Sequence, residues 1–457
     1  MDTKALRQKI LDLAIHGKLV PQDSDDEPAS VLLERIRAEK ERLIKEGKIK
    51  KPKKTKAACD KPHYPYQLPE GWVWCKLIDC CHVAGRIGFR GYTKDDLVED
   101  GAITLSPSNI VDGNMDFGKC TYISWDKYNE SPEIMVQCGD ILLVKTGSSY
   151  GKCAFVKELP KEATINPQFV VLKYIQIDAT YLTCVLQSTY ARRCYDDFVL
   201  GTAIPTFTQA VLGNMYIPLP SMAEQKRIVD SIKDWSALIG LLEFGKLKLQ
   251  DTVKQAKSKI LDLAIHGKLV PQDPNDEPAA ELLKRINSKA EIACDNPHYQ
   301  NLPSGWCIAP MQLLCSLVDG EKQNGIERIN LDVKYLRGER EANTLMSGKY
   351  VAKNALLILV DGENSGEVFR TPTEGYQGST FKQLAIDENM NTDYVLQVIN
   401  LHRKALRENK VGSAIPHLNK KMFKAIDVPI PPYKEQQRIV NAINKAFTTL
   451  DRTFDNL

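Results

Sequence analysis

Two short stretches of the sequence carry residue types that could do chemistry on a nucleotide. The first, GSSYGKC at 147–153, combines two glycines with a lysine, as in loops that hold phosphate through backbone N–H groups. Only three residues separate the glycines, whereas a phosphate loop has four, and Cys153 stands where a serine or threonine would hold magnesium. We therefore predict a turn between two strands, whose tip could contact DNA. The polar residues expected at that tip are Lys145, Thr146, Ser148, Ser149 and Lys152.

The second stretch, NPQF at 166–169, resembles the N-P-P-F type motif of amino-methyltransferases, in which a carbonyl-lined site holds a flipped adenine. The second proline of that motif is absent, and no nearby Gly-rich strand–turn–helix segment could bind S-adenosylmethionine. A self-contained DNA adenine methyltransferase is therefore the weaker alternative. The sequence also shows no helicase phosphate loop and no nuclease-like carboxylate cluster, so we expect no catalytic, cofactor-binding or metal-binding residue in this chain.

Cysteines and histidines give little support for a metal site. The densest cysteine cluster, CKLIDCCH at 75–82, lacks the usual spacing of zinc ligands. Buried free thiols in a reducing cytoplasm are the favoured interpretation. His16 and His266 occupy identical positions of a repeated segment, and we interpret both as structural residues at helix ends.

A third stretch, GRIGFRGYTK at 85–94, places cations and aromatic rings between glycines. An arginine in a flexible loop can bind a guanine edge with two hydrogen bonds, and an aromatic ring can pack on sugar or base. The alternative is a surface loop whose cations pair with Asp95 and Asp96. The DNA-binding candidates in this stretch are Arg86, Phe89, Arg90 and Lys94.

The second half of the chain offers a comparable set of polar residues. GEKQNG at 320–325 lies at the place analogous to that loop, and YLRGER at 335–340 and DGENSG at 361–366 follow it. Side chains of these types are typical of contacts to base edges or phosphates. The DNA-binding candidates here are Lys322, Gln323, Asn324, Arg337, Arg340, Asn364 and Arg370.

Composition indicates an ordinary globular chain. The 457 residues are 43% hydrophobic and 26% charged, and this length allows two or three domains. No run of 18 apolar residues exists, and the first ten residues lack the apolar core of a signal peptide, so we expect a cytoplasmic protein without membrane contact. Because the net charge is only +3, DNA contacts must come from local patches or be shared with a basic partner.

An internal repeat determines the architecture. Fifteen identical residues, KILDLAIHGKLVPQD, occur at 9–23 and again at 259–273, an offset of 250 (259 − 9). A second pair, IPLPSMAEQKRIVDSI at 217–232 and VPIPPYKEQQRIVNAI at 428–443, has an offset of 211 (428 − 217). The two chain ends therefore map side by side onto the middle of the chain, which predicts a pseudo-two-fold, cyclic repeat with neighbouring termini.

The segment shared by the two copies predicts long helices. Ser221 and Glu224 form an S-x-x-E capping box, and the apolar residues that follow, from Ile228 to Leu263, alternate steps of four and three. This heptad spacing predicts an antiparallel coiled coil, in which one continuous helix over 222–267 packs on a composite of the two chain ends. The alternative is that each amphipathic helix packs separately on its own domain.

Between the helical segments lie two blocks of short strand-like runs, such as GDILLVKTG, NALLILVDG and VKYLRG. Each block ends with one helix, near 179–199 and 392–409, and then a Pro-flanked strand. We therefore predict an α/β fold class. The predicted boundaries are 1–60 for an N-terminal helical segment, 61–220 for the first α/β block, 221–290 for the central coiled-coil helix and linker, 291–431 for the second block and 432–457 for a C-terminal helix.

Taken together, these motifs resemble the specificity subunits of type I restriction-modification systems. The resemblance is carried by IPLPSMAEQKRIV, KILDLAIHGKLVPQD, GDILLVKTG and the twin LPxGW motifs at 68–72 and 302–306, and it covers nearly the whole chain in the same cyclic order. It implies that 61–220 and 291–431 are two small target-recognition domains separated by long antiparallel coiled-coil helices. Each domain would read one half of a split DNA site.

The resemblance also implies partners. The helices would bind two methyltransferase subunits, and this assembly would methylate adenine in double-stranded DNA with S-adenosylmethionine held by those subunits. Restriction (motor) subunits, which use ATP and magnesium, would add cleavage of unmodified DNA. This chain would then be non-catalytic on its own. The alternatives are the methyltransferase considered above and a coiled-coil scaffold that binds only proteins.

Overall fold

The structure, a computed structural model, describes residues 2–49, 64–86, 91–201, 204–289, 293, 299–409 and 416–455. The chain divides into two compact units, unit 1 (Met1–Phe244) and unit 2 (Gly245–Leu457). The repeat offset maps Met1 to position 251 (1 + 250), so each unit corresponds to one copy of the repeat. The finer domain boundaries stay predictions, and the predicted meeting of Met1 and Leu457 lies outside the described residues.

Unit 1 combines short helices with short strands. Its helices are α1 (Thr3–Ile15), α2 (Ala29–Lys45), α3 (Leu77–Cys80), α4 (Trp125–Asn129), α5 (Ala179–Gln187), α6 (Thr189–Phe198), α7 (Gln209–Gly213) and the first half of α8 (Met222–Ile265). Its strands are β1 (Val73–Lys76), β2 (His82–Ala84), β3 (Leu97–Val98), β4 (Ala102–Leu105), β5 (Ile110–Val111), β6 (Asn114–Met115), β7 (Thr121–Ile123), β8 (Ile141–Val144), β9 (Cys153–Phe155), β10 (Ala163–Ile165), β11 (Phe169–Lys173) and β12 (Tyr216–Leu219).

The central sheet of unit 1 has the strand order β2-β11-β8-β9, with every neighbour antiparallel. Strand β8 is buried along its whole length because its side chains alternate between two apolar clusters. Ile141 and Leu143 join the cluster around α5, whereas Leu142 and Val144 join the cluster beneath the second sheet, β10-β4-β7-β3. This packing explains why GDILLVKTG is a continuous apolar run.

Unit 2 contains the second half of α8 and a similar set of elements. Its further helices are α9 (Ala279–Ile286), α10 (Met311–Leu314), α11 (Val333–Leu336), α12 (Thr392–Glu408), α13 (Lys420–Lys424) and α14 (Tyr433–Asp455). Its strands are β13 (Cys307–Pro310), β14 (Cys315–Val318), β15 (Lys322–Leu331), β16 (Thr344–Val351), β17 (Leu356–Leu359), β18 (Val368–Arg370), β19 (Gly375–Gln377), β20 (Phe381–Ile386) and β21 (Asp427–Ile430).

The central sheet of unit 2 repeats that of unit 1 strand for strand, in the order β14-β20-β17-β18 and again antiparallel throughout. The units differ beyond this sheet. In unit 2, β15, β16 and β19 pair with one another, and β15 is ten residues long, whereas unit 1 has short strands there. The predicted α/β class with two related halves is confirmed, and the divergence lies in the strands outside the shared sheet.

Two expectations from the sequence are wrong in detail. VKYLRG at 333–338 includes the short helix α11 instead of a strand, because the Asp332 side chain accepts an N–H of the following turn and caps it. The single helix expected near 179–199 is divided into α5 and α6, because Ser188 caps the second of them. The helix expected near 392–409 is confirmed as α12.

Helix α8 confirms the predicted continuous helix and crosses from one unit to the other. Of the predicted seam, Ile228 and Ile239 are buried, but Trp235 and Leu242 remain 44% and 51% exposed. Around the middle of the helix, further large apolar side chains are exposed. They are Leu238, Leu241, Phe244 and Leu247. Within the described parts of the chain, no helix combines the length and the apolar character that a membrane crossing requires.

Each unit supplies an antiparallel partner for its own half of α8. In unit 1, Arg7 of α1 forms an ion pair with Glu243 at 2.9 Å. In unit 2, Lys257 pairs with Asp451 of α14 at 2.6 Å, and the Lys257 ammonium lies 5.2 Å from the Phe447 ring centroid. The repeated segment therefore forms helix pairs inside each unit.

The repeated polar residues of unit 1 meet in a cluster that we call the frame anchor. The Glu224 carboxylate accepts hydrogen bonds from the Trp72 indole at 2.8 Å and from the Gln22 amide at 2.7 Å. Beside it, Arg227 donates to Asp26 at 2.6 Å. The Ser221 hydroxyl accepts the Glu224 N–H at 3.0 Å, which confirms one half of the predicted capping box; the Glu224 carboxylate is used for the anchor.

Unit 2 builds the same frame anchor from the second copy. The Glu435 carboxylate accepts from Trp306 and Gln272, each at 3.2 Å, and Arg438 donates to Asp276 at 2.6 Å. Burial raises the pKa of Glu224 and of Glu435, since the loss of water disfavours the charged form of each carboxylate more than its hydrogen bonds favour it. The anchor thus explains the spacing of the LPxGW, EQ and DEPA repeats, which supply its donors and acceptors.

The identical segment also forms a tight exit from the helix. Gly17 has φ +64°, and a Cβ there would lie 2.4 Å from Cγ of Pro69. Gly267 has φ +65°, and its Cβ would lie 2.3 Å from Cγ of Pro303. Only glycine combines this backbone conformation with this close approach. The preceding His16 is a structural residue as expected, with its Nδ1 2.6 Å from the Asp12 carbonyl oxygen.

Candidate nucleic-acid interface

One end of the central sheet of unit 1 gathers three stretches that the sequence analysis treated separately. Strands β2 and β8 both run antiparallel to β11, so β2 and β8 end where β11 begins. This end, which we call edge 1, is formed by Arg86 after β2, the turn 145–152 after β8, Asn166 to Gln168 before β11, and the segment 204–207. The topology therefore places Arg86 of GRIGFRGYTK beside GSSYGKC and NPQF.

The turn 145–152 confirms the strand–turn–strand prediction, because β8 and β9 pair across it. The Gly147 N–H donates to the Pro205 carbonyl oxygen at 2.9 Å, and the hydroxyl oxygens of Thr146 and Thr206 lie 2.8 Å apart. The backbone N–H groups of a phosphate loop would instead open onto a helix N-terminus. Ser148 and Lys152 are exposed, while Lys145, Thr146 and Ser149 are half-buried.

Arg86 lies half-buried at edge 1 and contacts the protein. Its guanidinium donates to the Ile165 carbonyl oxygen at 2.9 Å and lies 5.7 Å from the Tyr92 ring centroid. Burial lowers the pKa of Arg86, and the nearby Tyr92 and Glu133 oppose that shift. Lys94 is exposed in a short 3₁₀ turn, Lys94–Asp96. The candidates Phe89 and Arg90 lie outside the described residues.

Edge 1 also contains polar residues that the sequence analysis did not select. Arg192 of α6 stacks on Tyr150, with its guanidinium carbon 4.3 Å from the ring centroid, and Tyr150 donates to Asp196 at 2.7 Å. Gln168 donates to the Thr146 carbonyl oxygen at 3.5 Å. Tyr150 and Gln168 lie within GSSYGKC and NPQF, but Arg192 has no local sequence signal, because its partner Tyr150 lies 42 positions away in the sequence.

The NPQF motif forms a turn of its own just before strand β11. The Asn166 side chain accepts the Gln168 N–H at 3.0 Å and donates to the Gln168 side chain at 3.0 Å. Asn166 is 8% exposed. A methyltransferase would need this amide to bind a flipped base, whereas here it closes its own turn.

Unit 2 has an equivalent end, edge 2, formed by 360–367 after β17, 378–380 before β20, and 416–418. The Gly362 N–H donates to the Pro416 carbonyl oxygen at 2.7 Å, as Gly147 does to Pro205 in unit 1. The side chains differ. Asp361 contacts His417, with Oδ1 and Nδ1 2.6 Å apart, where unit 1 has two threonines.

Several candidates of unit 2 surround edge 2. Asn364 is half-buried in the turn itself. Arg337 forms an ion pair with Glu367 of the same turn, and Arg403 of α12 reaches Glu367 at 2.9 Å. Arg340 is turned to Asp332 in an ion pair of its own. The structure thus brings Asn364 and Arg337 together through Glu367.

Other candidates of unit 2 lie elsewhere. Arg370 pairs with Leu356 at the opposite end of the sheet, and its guanidinium contacts Asp393 at 2.9 Å. The stretch that contains Lys322, Gln323 and Asn324 begins strand β15 and pairs with β16, so it is not the flexible loop that the analogy predicted. Lys322 and Asn324 are exposed on that strand.

The cysteine cluster is consistent with buried thiols. Cys75 and Cys80 are buried, with their sulfur atoms 3.3 Å apart, and Cys81 is buried beside them. Burial raises the pKa of Cys81, which keeps its thiol protonated. Within the described residues, no group of three His, Cys, Asp or Glu side chains is placed to hold a metal ion.

Comparison with known proteins assigns the chain to a family. The family model described as "Type I restriction modification DNA specificity domain" matches residues 47–249 and 325–455, which is well over half of the chain. The chain belongs to the family of type I restriction-modification specificity subunits. The predicted family is therefore confirmed, and the two matched stretches fall one mainly in each unit.

Individual specificity subunits match over long stretches. The type I restriction enzyme EcoAI specificity subunit of Escherichia coli is 25% identical over 98% of this chain and 90% of its own length. The EcoEI specificity subunit of Escherichia coli is 29% identical over 63% of this chain and 55% of its own length.

A solved structure supports the fold. One chain of a structure concerned with complex assembly and conformational transition of the type I R-M system has a TM-score of 0.55 with this chain. The match covers 86% of this chain and 94% of the chain in that structure, at 18% sequence identity. The similarity in fold extends over most of the specificity subunit.

Proposed function

We propose that this chain is the non-catalytic DNA-recognition subunit of a type I restriction-modification complex, and that unit 1 and unit 2 each read one half of a bipartite site in double-stranded DNA. One observation carries the proposal. Edge 1 and edge 2 are formed by equivalent strands and have equivalent backbone hydrogen bonds, while their exposed side chains differ. A common scaffold with divergent tips suits two different half-sites.

The charges at the two edges differ as well. Arg86 lies two residues beyond the end of β2, whereas the equivalent strand β14, which ends beside the start of β20, is followed directly by Asp319, which Lys349 and Lys382 contact at 2.8 Å and 2.5 Å. These lysines hold the pKa of Asp319 well below its usual range. Different donors and acceptors at the equivalent ends of the two sheets suit different base preferences.

The partners in the proposal are two methyltransferase subunits and the restriction subunits. Helix α8 supports the binding of partner subunits, because its large apolar side chains Trp235, Leu241 and Phe244 are 44%, 68% and 66% exposed. Exposed apolar patches of this kind are typical of protein interfaces. S-adenosylmethionine, ATP and magnesium belong to the partner subunits in this proposal.

Exchange of the variable block tests the two-reader proposal. Residues 291–431 are replaced by the corresponding block of another specificity subunit, and the chimera is expressed with its methyltransferase partner. Sequencing of methylated adenines should show a change in one half of the motif only. A change in both halves, or in neither, would contradict the proposal; the unaltered chain in the same cells is the control.

The rival methyltransferase function predicts that the purified chain binds S-adenosylmethionine. We expect no saturable binding by isothermal titration calorimetry, because the sequence near NPQF offers no Gly-rich strand–turn–helix segment that could bind the cofactor. The assembled complex with methyltransferase subunits is the positive control. Tight binding by this chain alone would overturn its assignment as a recognition subunit.

A further inference from the structure

The two edges contain one side-chain pair that occupies the same place in both units. In unit 1 it joins Thr146 to Thr206, and in unit 2 it joins Asp361 to His417, each across an isolated antiparallel bridge. We call this pair the edge brace. In each case it connects the turn of the central sheet to the segment that precedes a short helix.

The backbone around the edge brace of unit 2 is held from both sides. Pro416 accepts the Gly362 N–H at 2.7 Å, and Leu418 donates to the Val360 carbonyl oxygen at 2.7 Å. Leu418 is 3% exposed, whereas the His417 side chain is 53% exposed. Successive side chains of an extended segment point to opposite sides, so the burial of Leu418 directs the His417 side chain toward solvent.

Unit 1 has the same arrangement with other side chains. The Phe207 N–H donates to the Lys145 carbonyl oxygen at 3.1 Å, and Phe207 is 2% exposed. Thr206 lies between Phe207 and Pro205, as His417 lies between Leu418 and Pro416. Since the backbone contacts match, the difference between the two positions lies in what their side chains can donate or accept.

We propose that Thr206 and His417 are equivalent specificity-determining residues, and that His417 accepts a hydrogen bond from the exocyclic amino group of an adenine or a cytosine. This inference rests on the proposed function. A carboxylate oxygen accepts hydrogen bonds, so the contact with Asp361 favours the His417 tautomer with its hydrogen on Nδ1, and in that tautomer Nε2 is the acceptor that the proposal assigns to the base. Asp361 is then a positioning residue that fixes the tautomer. The threonine pair of unit 1 presents a hydroxyl, which can donate or accept.

Methylome sequencing locates the base. The full chain and its methyltransferase partner are expressed with His417→Ala, with Asp361→Thr and His417→Thr together, or with Lys404→Ala, a control on α12 whose side chain is 80% exposed. The double variant recreates the pair that already closes this backbone in unit 1. We expect both His417 variants to relax one base position of the unit 2 half-site by on the order of 10-fold, the discrimination of one good base contact. The control should keep the whole motif.

A base analogue then tests the chemistry. Binding of the assembled complex is measured on duplexes in which the amino group at the located position is removed. Its loss should weaken the unaltered complex on the order of 10-fold and leave the His417→Ala complex unchanged. An unchanged motif in both His417 variants, or equal loss in both complexes, would overturn the inference and leave the proposed function standing. If the unaltered complex methylates no bipartite motif, the proposed function fails and this inference fails with it.

Discussion

At the scale of single residues, the sequence points to some members of the important contacts but not to their partners. An apolar run followed by a glycine points to Thr146, whereas Thr206, sixty positions further on, has no local signal. Similarly, Glu224 was assigned to a capping box, but its carboxylate binds Trp72. Contacts between residues that are distant in sequence depend on the fold of the sheet, and residue spacing along the chain does not encode them.

The Trp72 contact gives a prediction for stability. Trp72→Phe removes the indole N–H that Glu224 accepts and leaves a buried oxygen without that donor, so the free energy of unfolding should fall by about 1–3 kcal/mol. Urea unfolding followed by circular dichroism measures the change. Trp235→Phe, at an exposed position of α8, is the matched control and should change stability by less than about 0.5 kcal/mol. Equal effects of the two substitutions would refute the role of the frame anchor.

The raised pKa of Glu224 predicts a pH dependence. Burial raises the pKa of this group in the folded chain, so the folded state binds a proton more readily than the unfolded state, and stability falls as pH rises from about 4 through the folded pKa. In Glu224→Gln this fall is absent. The difference in unfolding free energy, variant minus unaltered chain, should therefore increase with pH across that window and then become constant.

Glu243→Gln is the control with the opposite sign. Hydrogen bonds from Thr3 and Arg7 lower the pKa of Glu243, so its contribution to stability is present above the unfolded pKa and is lost as pH falls. For Glu243→Gln, the unfolding free energy of the variant minus that of the unaltered chain should therefore decrease as pH rises. Urea titrations between roughly pH 3 and pH 7, which extend to both sides of the unfolded glutamate pKa of about 4.3, measure both variants. Slopes of the same sign in the two variants would contradict the assignment.

At the scale of elements, periodicity predicted what lies within one segment. The continuous helix α8, the strand–turn–strand at 145–152 and the helix α12 follow from heptad spacing, a glycine turn and an amphipathic run. Periodicity failed where a single side chain interrupts or starts an element. Ser188 divides a helix, and Asp332 starts one inside a strand-like run. Capping hydrogen bonds outweighed apolar patterning at these two positions.

The exit glycine gives a prediction for an element. Gly17→Ala adds a Cβ 2.4 Å from Pro69 Cγ at a positive φ, whereas Gly47→Ala adds one at a similar φ with nothing within 4 Å. Gly47→Ala should therefore cost only the backbone strain, about 1–2 kcal/mol, and Gly17→Ala should cost clearly more. Denaturant unfolding of the two variants gives the difference. Similar losses in both variants would show that the close approach of Pro69 contributes nothing.

At the scale of the whole molecule, the repeat predicted two related halves because the same residues recur at two offsets. It did not predict how the halves differ. In unit 2, β15 and β16 are ten and eight residues long, and the equivalent part of unit 1 contains much shorter strands. These differences lie outside the repeated residues, so the repeat does not predict them. The repeat likewise does not predict the side chains at the two edges, where two threonines in unit 1 correspond to Asp361 and His417 in unit 2.

The continuity of α8 gives a prediction about spacing. Insertion of one heptad between Phe244 and Gly245, where the two units divide, lengthens the helix by about 10 Å. The gap between the methylated half-sites should change, while both half-sites keep their sequence, because neither edge is altered. Methylome sequencing of cells that express the variant with its methyltransferase partner provides the measurement. An unaltered gap would show that α8 does not set the spacing.

The fifteen identical residues have a genetic consequence. A crossover between the gene segments that encode 9–23 and 259–273 would remove 250 codons and leave a chain of 207 residues (457 − 250). That product would retain Trp306, Glu435 and Arg438, with Gln22 in the place of Gln272 and α1 in the place of the second half of α8. One entire frame anchor would therefore survive the deletion. Where the codons of the two copies also match, one recombination event would remove or add a whole unit while each remaining unit keeps the contacts that hold it together.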